Sequence, residues 1–421
     1  MLKKVFCSLL IVFLFANCKT TKFARTISKS ITTSFYDNQF TGIYIYDINA
    51  DKVLFNHNGE KYFTPASTTK IFTLFTGLTL LTDSIPAFKY LVNKDTITLQ
   101  GTGDPTFLHS YFKDSTVLKM AEKYVKVNVI TNNIKDKRYG PGWAWEDFDS
   151  YFSAERSAFP IYGNVITVKN EDSISVQPTY FQSKINITDN FYGRDEYKNN
   201  FYFRKDRKSE TEIPMIIDST LTANLWNELL PSRVSLIQSS AVKTSTIAYS
   251  VPSDSLYRRM MEVSDNFLAE QTLILASSTL SDTLSSSRAR KYILENELKD
   301  LKQQPHWVDG SGLSRYNLFS PMSFVEVLTK LYTTIPQERL FTLFPVGGKF
   351  GTIKNWYAGT DKPYVFAKTG TVGNNHNISG YLVSSSGKVL VFSFMNNHFK
   401  KSNDEVRTQM QTTFEWLRDN Y

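Results

Sequence analysis

Apolar and polar residues alternate in two short runs near the start of the chain, 41–46 and 52–57, with a predicted turn between them at 49–51. Alternation with a period of two is typical of half-buried strands, so these runs predict two adjacent strands. The next apolar run, 67–81, is too long for a strand, and its apolar residues surround the helix axis. This run therefore predicts a buried helix.

The pattern changes between about residues 85 and 245, where short alternating runs are broken by Asn, Asp, Gly and Pro. This texture predicts a β-rich region with one helix, at 116–124. Its clearest predicted strands are 96–99, 165–169, 173–177 and 184–188.

Helical patterns return in the C-terminal part of the chain, together with a predicted β-hairpin. Ser320-Pro321 is typical of an N-cap and a first helical residue, so it predicts the start of a helix that ends near Leu331. The other predicted helices are 256–277, 287–301 and an amphipathic helix at 403–421, and the predicted strands are 364–371, 378–383 and 388–395, with a turn at Ser386-Gly387.

The order of these elements predicts an α/β (α+β) fold with more than one domain, because a chain of 421 residues exceeds what one hydrophobic core usually organises. The strands and buried helix at one end can complete a single unit with the helices and strands at the other end. We therefore expect one domain split between 19–85 and 246–421. The region 86–245 is then a β-rich insert of one or two accessory domains.

The first residues have the pattern of a targeting segment. Lys3 and Lys4 precede an apolar run, 5–16, which is too short to span a bilayer and ends close to Cys18. Residues 1–18 resemble a bacterial lipoprotein signal in which Cys18 becomes lipidated. The alternative is an ordinary secretory signal in which Cys18 has no role. Both interpretations predict export to the cell envelope, and the first adds a lipid anchor in a membrane that faces the periplasm.

Composition, net charge and the positions of cysteine and histidine exclude several classes of function. The 41% hydrophobic and 21% charged residues are those of an ordinary globular protein, and the net charge of +8 comes from scattered basic residues without a nucleic-acid motif. No nucleic-acid partner is predicted. Both cysteines, Cys7 and Cys18, lie in the targeting segment, which excludes a cysteine protease and a cysteine-based zinc site. The five histidines form no His-Glu-x-x-His pair, so no metal site is predicted.

The Ser-x-x-Lys spacing proves nothing alone, since the chain contains Ser67/Lys70, Ser110/Lys113, Ser240/Lys243 and Ser385/Lys388. Ser67 differs from the others because it stands at the first turn of a predicted buried helix, where an i,i+3 spacing places both side chains on one face. A lysine at the start of an apolar helix is costly unless it is paired or neutral, and a catalytic base must be neutral. Ser67 and Lys70 are therefore a candidate nucleophile and base.

Two further motifs follow in the chain. Ser264-Asp265-Asn266 lies inside a predicted helical stretch, and Lys368-Thr369-Gly370-Thr371 lies near the end of a predicted strand. Each has a simple structural interpretation, the first as an N-cap between two helices and the second as a solvent-facing turn. All three motifs in this order, on elements of these types, are a much rarer event than any one of them.

The set Ser-x-x-Lys, Ser-Asp-Asn and Lys-Thr-Gly is shared by class A β-lactamases and penicillin-binding proteins. Between about residues 42 and 397 the sequence resembles specifically the S13 family of D-alanyl-D-alanine carboxypeptidases, the low-molecular-mass class C penicillin-binding proteins. The stretches that carry this resemblance are 101–105, 141–147, 264–270, 309–315, 347–352 and 368–380.

The resemblance implies a penicillin-binding-protein/serine β-lactamase-like transpeptidase fold, with an antiparallel sheet and a helical subdomain. It implies hydrolysis of peptidoglycan stem peptides or cross-links through an acyl-enzyme on Ser67, without metal or organic cofactor and with β-lactams as covalent inhibitors. Lys70 would be the base, Ser264 would relay the proton to the departing D-Ala, and Asn266 would orient Lys70 and the substrate.

The resemblance also implies how the substrate is held. Backbone N–H groups of Ser67 and Thr371 would form the oxyanion hole. Lys368 and the Thr369 hydroxyl would bind the terminal carboxylate of the substrate, and Gly370 would let the strand approach it closely.

Two other functions remain open from the sequence. A serine β-lactamase uses the same three motifs, but the insert of about 160 residues argues against it, because compact β-lactamases lack such an insert. A non-catalytic peptidoglycan-binding scaffold lipoprotein is the second alternative. The intact motif residues argue against this, because a degenerate relative would have lost some of them.

Overall fold

The computed structural model describes residues 23–171, 173–189, 193–207, 210–239 and 245–421. The predicted signal and Cys18 lie outside these residues. No helix among the described residues is long and apolar enough to cross a membrane.

The described residues form both α-helices and strands, with runs of consecutive strands in the middle of the chain and of consecutive helices after it. The helices are α1 (23–31), α2 (Lys70–Leu80), α3 (Thr116–Ala121), α4 (Ser219–Leu229), α5 (Ser253–Glu262), α6 (Asn266–Ser277), α7 (Ser286–Tyr292), α8 (Pro321–Thr334), α9 (Gln337–Thr342) and α10 (Asn403–Asn420). The strands are β1 (Phe40–Asp47), β2 (Lys52–His57), β3 (Ser84–Asn93), β4 (Thr96–Gly101), β5 (Lys126–Ile130), β6 (Val165–Asn170), β7 (Ile174–Gln177), β8 (Ile185–Thr188), β9 (Gly193–Arg194), β10 (Phe201–Arg204), β11 (Thr211–Pro214), β12 (Val234–Leu236), β13 (Thr246–Pro252), β14 (Val365–Val372), β15 (Asn375–Val383) and β16 (Val389–Asn397).

These elements form two compact units. The first contains the chain up to Ile71 together with Asp300–Trp307 and Asn317–Tyr421, and the second contains Phe72–Lys299 and Val308–Tyr316. The functional division predicted from the sequence, a split catalytic domain and an insert at 86–245, stays a prediction.

The first unit is built on one antiparallel sheet with the strand order β14-β15-β16-β1-β2. Helix α10 contributes Val406, Met410, Phe414 and Leu417 to the core of this unit, and the spacing of these residues at three and four positions forms one apolar stripe. The antiparallel sheet and the closing helix predicted from the sequence are confirmed.

The second unit contains a five-stranded sheet of order β12-β5-β4-β3-β13 and two three-stranded sheets, β11-β6-β7 and β8-β10-β9. The prediction that residues 85–245 are rich in strands is therefore correct, but it did not include helix α4. The N-cap of α4 is Asp218, whose carboxylate accepts a hydrogen bond from the Leu221 amide.

Two predicted helices were too long. The run 256–277 is two helices, because Ser264 adopts a left-handed backbone with φ 62° and Asp265 starts α6 as its N-cap. The run 287–301 ends its α-helix at Tyr292 and continues as one π-helical turn, Ile293–Glu297.

Candidate active site

Ser67 stands on a tight turn before α2. Residues Ala66–Thr69 form a 3-10 helix, and Ala66 has a positive φ of 47°, which is unusual for a residue with a β carbon. The Thr68 hydroxyl donates to the Pro65 carbonyl at 2.7 Å, and the Thr69 hydroxyl donates to the Ala66 carbonyl at 2.9 Å. The α-helix thus begins at Lys70, one turn later than the hydrophobic pattern predicted.

Two asparagines of the central strands hold this turn in place. Asn377 on β15 donates from Nδ2 to the carbonyls of Thr64 and Pro65, each at 2.9 Å. Asn397 on β16 accepts the Thr64 amide at 2.7 Å and donates to Asn377 Oδ1 at 3.1 Å. Both asparagine side chains are buried. The backbone groups of the turn and the side-chain amides of the asparagines therefore satisfy each other's hydrogen-bonding needs.

Lys70 and Ser67 are in direct contact. Lys70 Nζ donates to Ser67 Oγ at 2.9 Å, and the i,i+3 spacing places both on one face as the sequence predicted. The Lys70 side chain is completely buried, whereas Ser67 is half-buried. The hydroxyl therefore faces a site that a substrate can reach, while the amine behind it is shielded from water.

A second buried amine belongs to the same unit. Lys368 on β14 is completely buried, and its Nζ donates to the Thr369 carbonyl at 2.8 Å. Burial lowers the pKa of Lys368 well below its usual value, and the nearby charge of Lys70 lowers it further. Two ammonium groups in these surroundings would repel each other, which favours the neutral form of Lys368.

Strand β14 runs against the Ser67 turn at a distance that only glycine permits. A β carbon at Gly370 would lie 2.3 Å from the Pro65 carbonyl oxygen, 2.7 Å from the Thr68 amide nitrogen and 2.8 Å from the Ser67 amide nitrogen. These are backbone atoms of a clamped turn and cannot move aside cheaply. The sequence predicted that Gly370 lets the strand approach the substrate, and this stays a prediction. The close approach in the structure is to the nucleophile turn.

The two threonines beside Gly370 have different partners. Thr369 is buried and donates from its hydroxyl to the Thr352 hydroxyl at 2.9 Å. Thr371 is exposed, and its hydroxyl lies 2.7 Å from His376 Nδ1. Burial, aided by Arg407 and Lys368, lowers the pKa of His376 to about 3, so this imidazole is neutral at physiological pH.

Ser264 and Asn266 belong to the second unit. Ser264 is half-buried in the break between α5 and α6, where its positive φ turns the chain. Asn266 is buried on the first turn of α6, and its Nδ2 donates to the Phe152 carbonyl at 3.1 Å. The structure thus brings Ser67, Lys70 and the Lys368–Thr371 segment together in one unit, whereas the roles of Ser264 and Asn266 stay predictions.

A buried polar network supports α6 within the second unit. Glu270 accepts the Ser311 amide at 2.8 Å and contacts Arg156 NH1 at 3.4 Å. Asp309 accepts Trp143 Nε1 at 2.9 Å and the Ser314 amide at 2.6 Å. Three of the stretches that carry the family resemblance are therefore connected through buried carboxylates.

The sequence did not identify several residues that shape the site, namely Asn377, Asn397, Thr352 and His376. Asn377 and His376 follow the Lys-Thr-Gly motif closely, and polar residues inside an otherwise apolar strand were the signal that could have found them. Among the described residues no group of histidine, cysteine and carboxylate side chains could hold a metal ion.

Comparison with known proteins gives matches over most of the chain. The sequence model of the D-Ala-D-Ala carboxypeptidase 3 (S13) family matches residues 24–189 and 233–419, which include every candidate site residue from Ser67 to Thr371. The D-alanyl-D-alanine carboxypeptidase DacB of Haemophilus influenzae is 22% identical over 451 aligned positions, covering 95% of this chain and 94% of that protein.

Solved structures show the same fold. The crystal structure of penicillin binding protein 4 (dacB) from Haemophilus influenzae matches with a TM-score of 0.72 at 18% identity, covering 91% of this chain and 97% of that one. A penicillin G-acylated predatory endopeptidase from Bdellovibrio bacteriovorus matches with a TM-score of 0.50 at 16% identity, covering 90% of this chain and 92% of that one.

Proposed function

The chain belongs to the D-Ala-D-Ala carboxypeptidase 3 (S13) family, and from this premise we propose that it cleaves peptidoglycan stem peptides through an acyl-enzyme on Ser67. It is a serine-type peptidase of the D-alanyl-D-alanine carboxypeptidase/endopeptidase kind. The observation that carries the proposal is the 2.9 Å hydrogen bond from Lys70 Nζ to Ser67 Oγ, beside a second buried amine, Lys368.

The first step needs a base, because a neutral hydroxyl is a weak nucleophile. An ammonium group cannot accept a proton, so Lys70 must be uncharged when Ser67 attacks. Burial of Lys70 favours the uncharged amine, and any positive charge on the neighbouring Lys368 favours it further. Lys70 then takes the Ser67 proton while Oγ attacks the carbonyl carbon of the penultimate D-Ala.

The developing oxyanion needs donors that are already in place. Ser67 and Thr371 would supply them from their backbone N–H groups, and the clamp by Asn377 together with the close packing of Gly370 fixes both elements before substrate arrives. Losing one such donor typically costs about 3–4 kcal/mol of transition-state stabilisation.

The terminal carboxylate of the substrate would bind Lys368 and the Thr369 hydroxyl. A carboxylate next to a buried amine stabilises the charged form of that amine. Binding therefore moves Lys368 toward its protonated state, and a substrate without a free carboxylate loses this interaction. This gives a physical reason for preference toward a free D-Ala end.

The leaving group needs a proton on its nitrogen. In the proposed mechanism the C–N bond of the peptide breaks while Ser264 relays to the departing D-Ala nitrogen the proton that Lys70 took from Ser67. Asn266 orients Lys70 and the substrate backbone. The left-handed backbone at Ser264 and the hydrogen bond that fixes Asn266 support the assignment, because local strain and fixed side chains are common at functional sites. Water then hydrolyses the ester on Ser67 and regenerates the hydroxyl.

The same nucleophile would open β-lactams, which present an amide to Ser67 and a carboxylate to Lys368. The penicillin G-acylated state of the Bdellovibrio bacteriovorus endopeptidase supports this part of the proposal. A β-lactam is thus an inhibitor as long as water attacks its ester slowly.

The substrate places the activity at the cell envelope. We further propose that Cys18 carries a lipid anchor that holds the enzyme on the periplasmic side of a membrane. Metabolic labelling with a fatty acid tests this, since the label should appear in the unsubstituted protein and be lost in Cys18→Ala. Equal labelling of both would contradict the anchor at Cys18.

Purified muropeptides test the catalytic proposal. The unsubstituted protein should release D-Ala from pentapeptides, or monomers from cross-linked dimers, and Ser67→Ala should release neither. Ser385→Ala is a matched control, because Ser385 and Lys388 have the same spacing on an exposed turn. Equal activity of Ser67→Ala and the unsubstituted protein would refute the mechanism.

A further inference from the structure

The second unit contains a cavity of about 320 Å³ that the proposed mechanism does not use. Its walls are mainly aromatic and aliphatic, and its apolar lining residues are Tyr139, Trp143, Trp145, Phe148, Tyr197 and Ile216. Ligand pockets usually have this character, with apolar walls and a few convergent polar groups.

Two of the wall residues are exposed to an unusual degree. The Trp145 side chain is 73% exposed and the Tyr197 side chain is 82% exposed. Large aromatic side chains are usually buried because they remove much apolar surface from water. An open indole at the mouth of a cavity is therefore a surface that a ligand can cover.

The polar part of the cavity carries groups of both charges, one arginine and two glutamates. Glu155 is buried at one side, where its carboxylate accepts the Tyr139 hydroxyl at 3.1 Å, Arg138 NH1 at 3.2 Å and the Ile217 amide at 2.9 Å. Arg138 remains more than half exposed, and Glu196 adds an acceptor to the lining. With groups of both signs present, the cavity does not favour a strongly anionic or strongly cationic ligand.

A sugar ring matches these surroundings. A pyranose presents a face of C–H groups that packs on an aromatic ring, and its edge carries neutral hydroxyl and amide groups that bond to arginine and carboxylate side chains. A purely apolar ligand would cover the exposed part of Arg138 and the Glu196 carboxylate without offering either a hydrogen bond in place of water, and such desolvation of charged groups is unfavourable.

We propose that this cavity binds N-acetylated amino sugar units of the glycan strand, with Trp145 as the stacking platform. The choice of glycan rests on the proposed function, since peptidoglycan carries its stem peptides on a chain of such sugars. The cavity would hold the polymer while the stem peptide is cleaved.

The test uses a peptide-free probe, the β-1,4-linked tetramer of N-acetylglucosamine, and measures its binding to the full protein by calorimetry and tryptophan fluorescence. The unsubstituted protein should bind the tetramer, and Trp145→Ala should weaken this binding by about ten-fold or more, the loss expected for one stacked ring. Trp145→Tyr, which keeps an aromatic platform, should recover most of the affinity.

Tyr249→Ala provides the matched control, because Tyr249 is an exposed aromatic residue of the same unit that does not line the cavity. It should bind the tetramer as well as the unsubstituted protein does. Absence of binding at millimolar tetramer, or equal binding by Trp145→Ala and the unsubstituted protein, would overturn the assignment.

A sugar-free pentapeptide ending in D-Ala-D-Ala separates this inference from the proposed function. Release of D-Ala without tetramer binding would overturn the glycan site alone. Tetramer binding without release of D-Ala would support the glycan site and contradict the proposed peptidase reaction.

Discussion

Gly370 on β14 lies so close to Ser67 that a β carbon on the glycine would stand 2.8 Å from the Ser67 amide nitrogen. Real β carbons essentially never approach another atom this closely, so this contact restricts position 370 of the strand to glycine. The glycine of the Lys-Thr-Gly motif is thus explained by packing against the nucleophile turn, in addition to any contact with substrate.

Gly370→Ala should therefore disable the enzyme. The new methyl group must displace either β14 or the turn, which moves the two proposed oxyanion donors apart. We expect the free energy of unfolding to fall by about 1–3 kcal/mol and kcat/KM for pentapeptide cleavage to fall by about a hundred-fold.

Gly387→Ala is the control, because Gly387 has a φ of 82° but no atom lies near the position that a β carbon would take. That variant should lose stability and keep its activity; equal kcat/KM losses in both variants would contradict the packing explanation.

Asn377→Ala should impair catalysis without touching any proposed catalytic group. It removes the two hydrogen bonds from Asn377 to the Thr64 and Pro65 carbonyls, which keep the Asn397 amide and the Thr68 hydroxyl as their remaining side-chain donors. Each lost bond costs about 0.5–1.5 kcal/mol. Because the turn then holds Ser67 less firmly, kcat should drop while KM changes little. Asn56→Ala is the control. It removes a side-chain oxygen that accepts a hydrogen bond from the Gly59 backbone N–H in a more exposed turn of the same unit. If it lowers kcat as much as Asn377→Ala does, the clamp has no special role.

The pH dependence of stability should reveal Lys368. Its pKa in the folded protein is lowered from a usual value of 10.5, so the unfolded chain binds more protons in the window between the lowered pKa and 10.5. Stability rises with pH wherever the unfolded state binds more protons. Lys368 should therefore destabilise the fold at neutral pH, and less so as the pH rises toward 10.5.

Lys368→Met should be more stable than the unsubstituted protein at pH 7, with the difference in stability shrinking at higher pH, and it should be inactive. Thermal unfolding at several pH values measures this; a constant difference would mean that Lys368 keeps its usual pKa.

The lifetime of the penicillin ester separates a peptidase from a serine β-lactamase. β-Lactamases must release their acyl group within a catalytic cycle, and typical enzymes turn over about 1–1,000 times per second. We expect the Ser67 ester of penicillin G to persist for minutes or longer when free antibiotic is removed. Stopped-flow acylation followed by timed mass spectrometry measures this lifetime. Release within seconds would favour the β-lactamase.

The sequence was sufficient to predict the parts of this molecule that depend on local pattern. The strands near 41–57 and 364–395 and the closing helix lie where alternation and apolar periodicity placed them. The Ser67–Lys70 contact followed from the i,i+3 spacing, which any helical turn converts into proximity.

What the sequence missed depends on contacts between distant residues. The bonds from Asn377 to Thr64 and Pro65 join positions more than 300 residues apart, and nothing in the local pattern of β15 specifies them. Helix α4 was not predicted, because the sequence around it is rich in polar residues. Its N-cap, Asp218, was therefore interpreted as another turn residue. The break at Ser264 was weighed as a possible cap between helices, but apolar periodicity on both sides suggested a continuous helical stretch.

The most direct test of the central claim, that Ser67 is the acylated nucleophile, is intact-protein mass spectrometry with penicillin G followed by peptide mapping. We expect a mass increase of one penicillin molecule in the unsubstituted protein, located on the peptide that contains Ser67, and no increase in Ser67→Ala. An adduct that persists in Ser67→Ala, or that maps to a different residue of the unsubstituted protein, would contradict it.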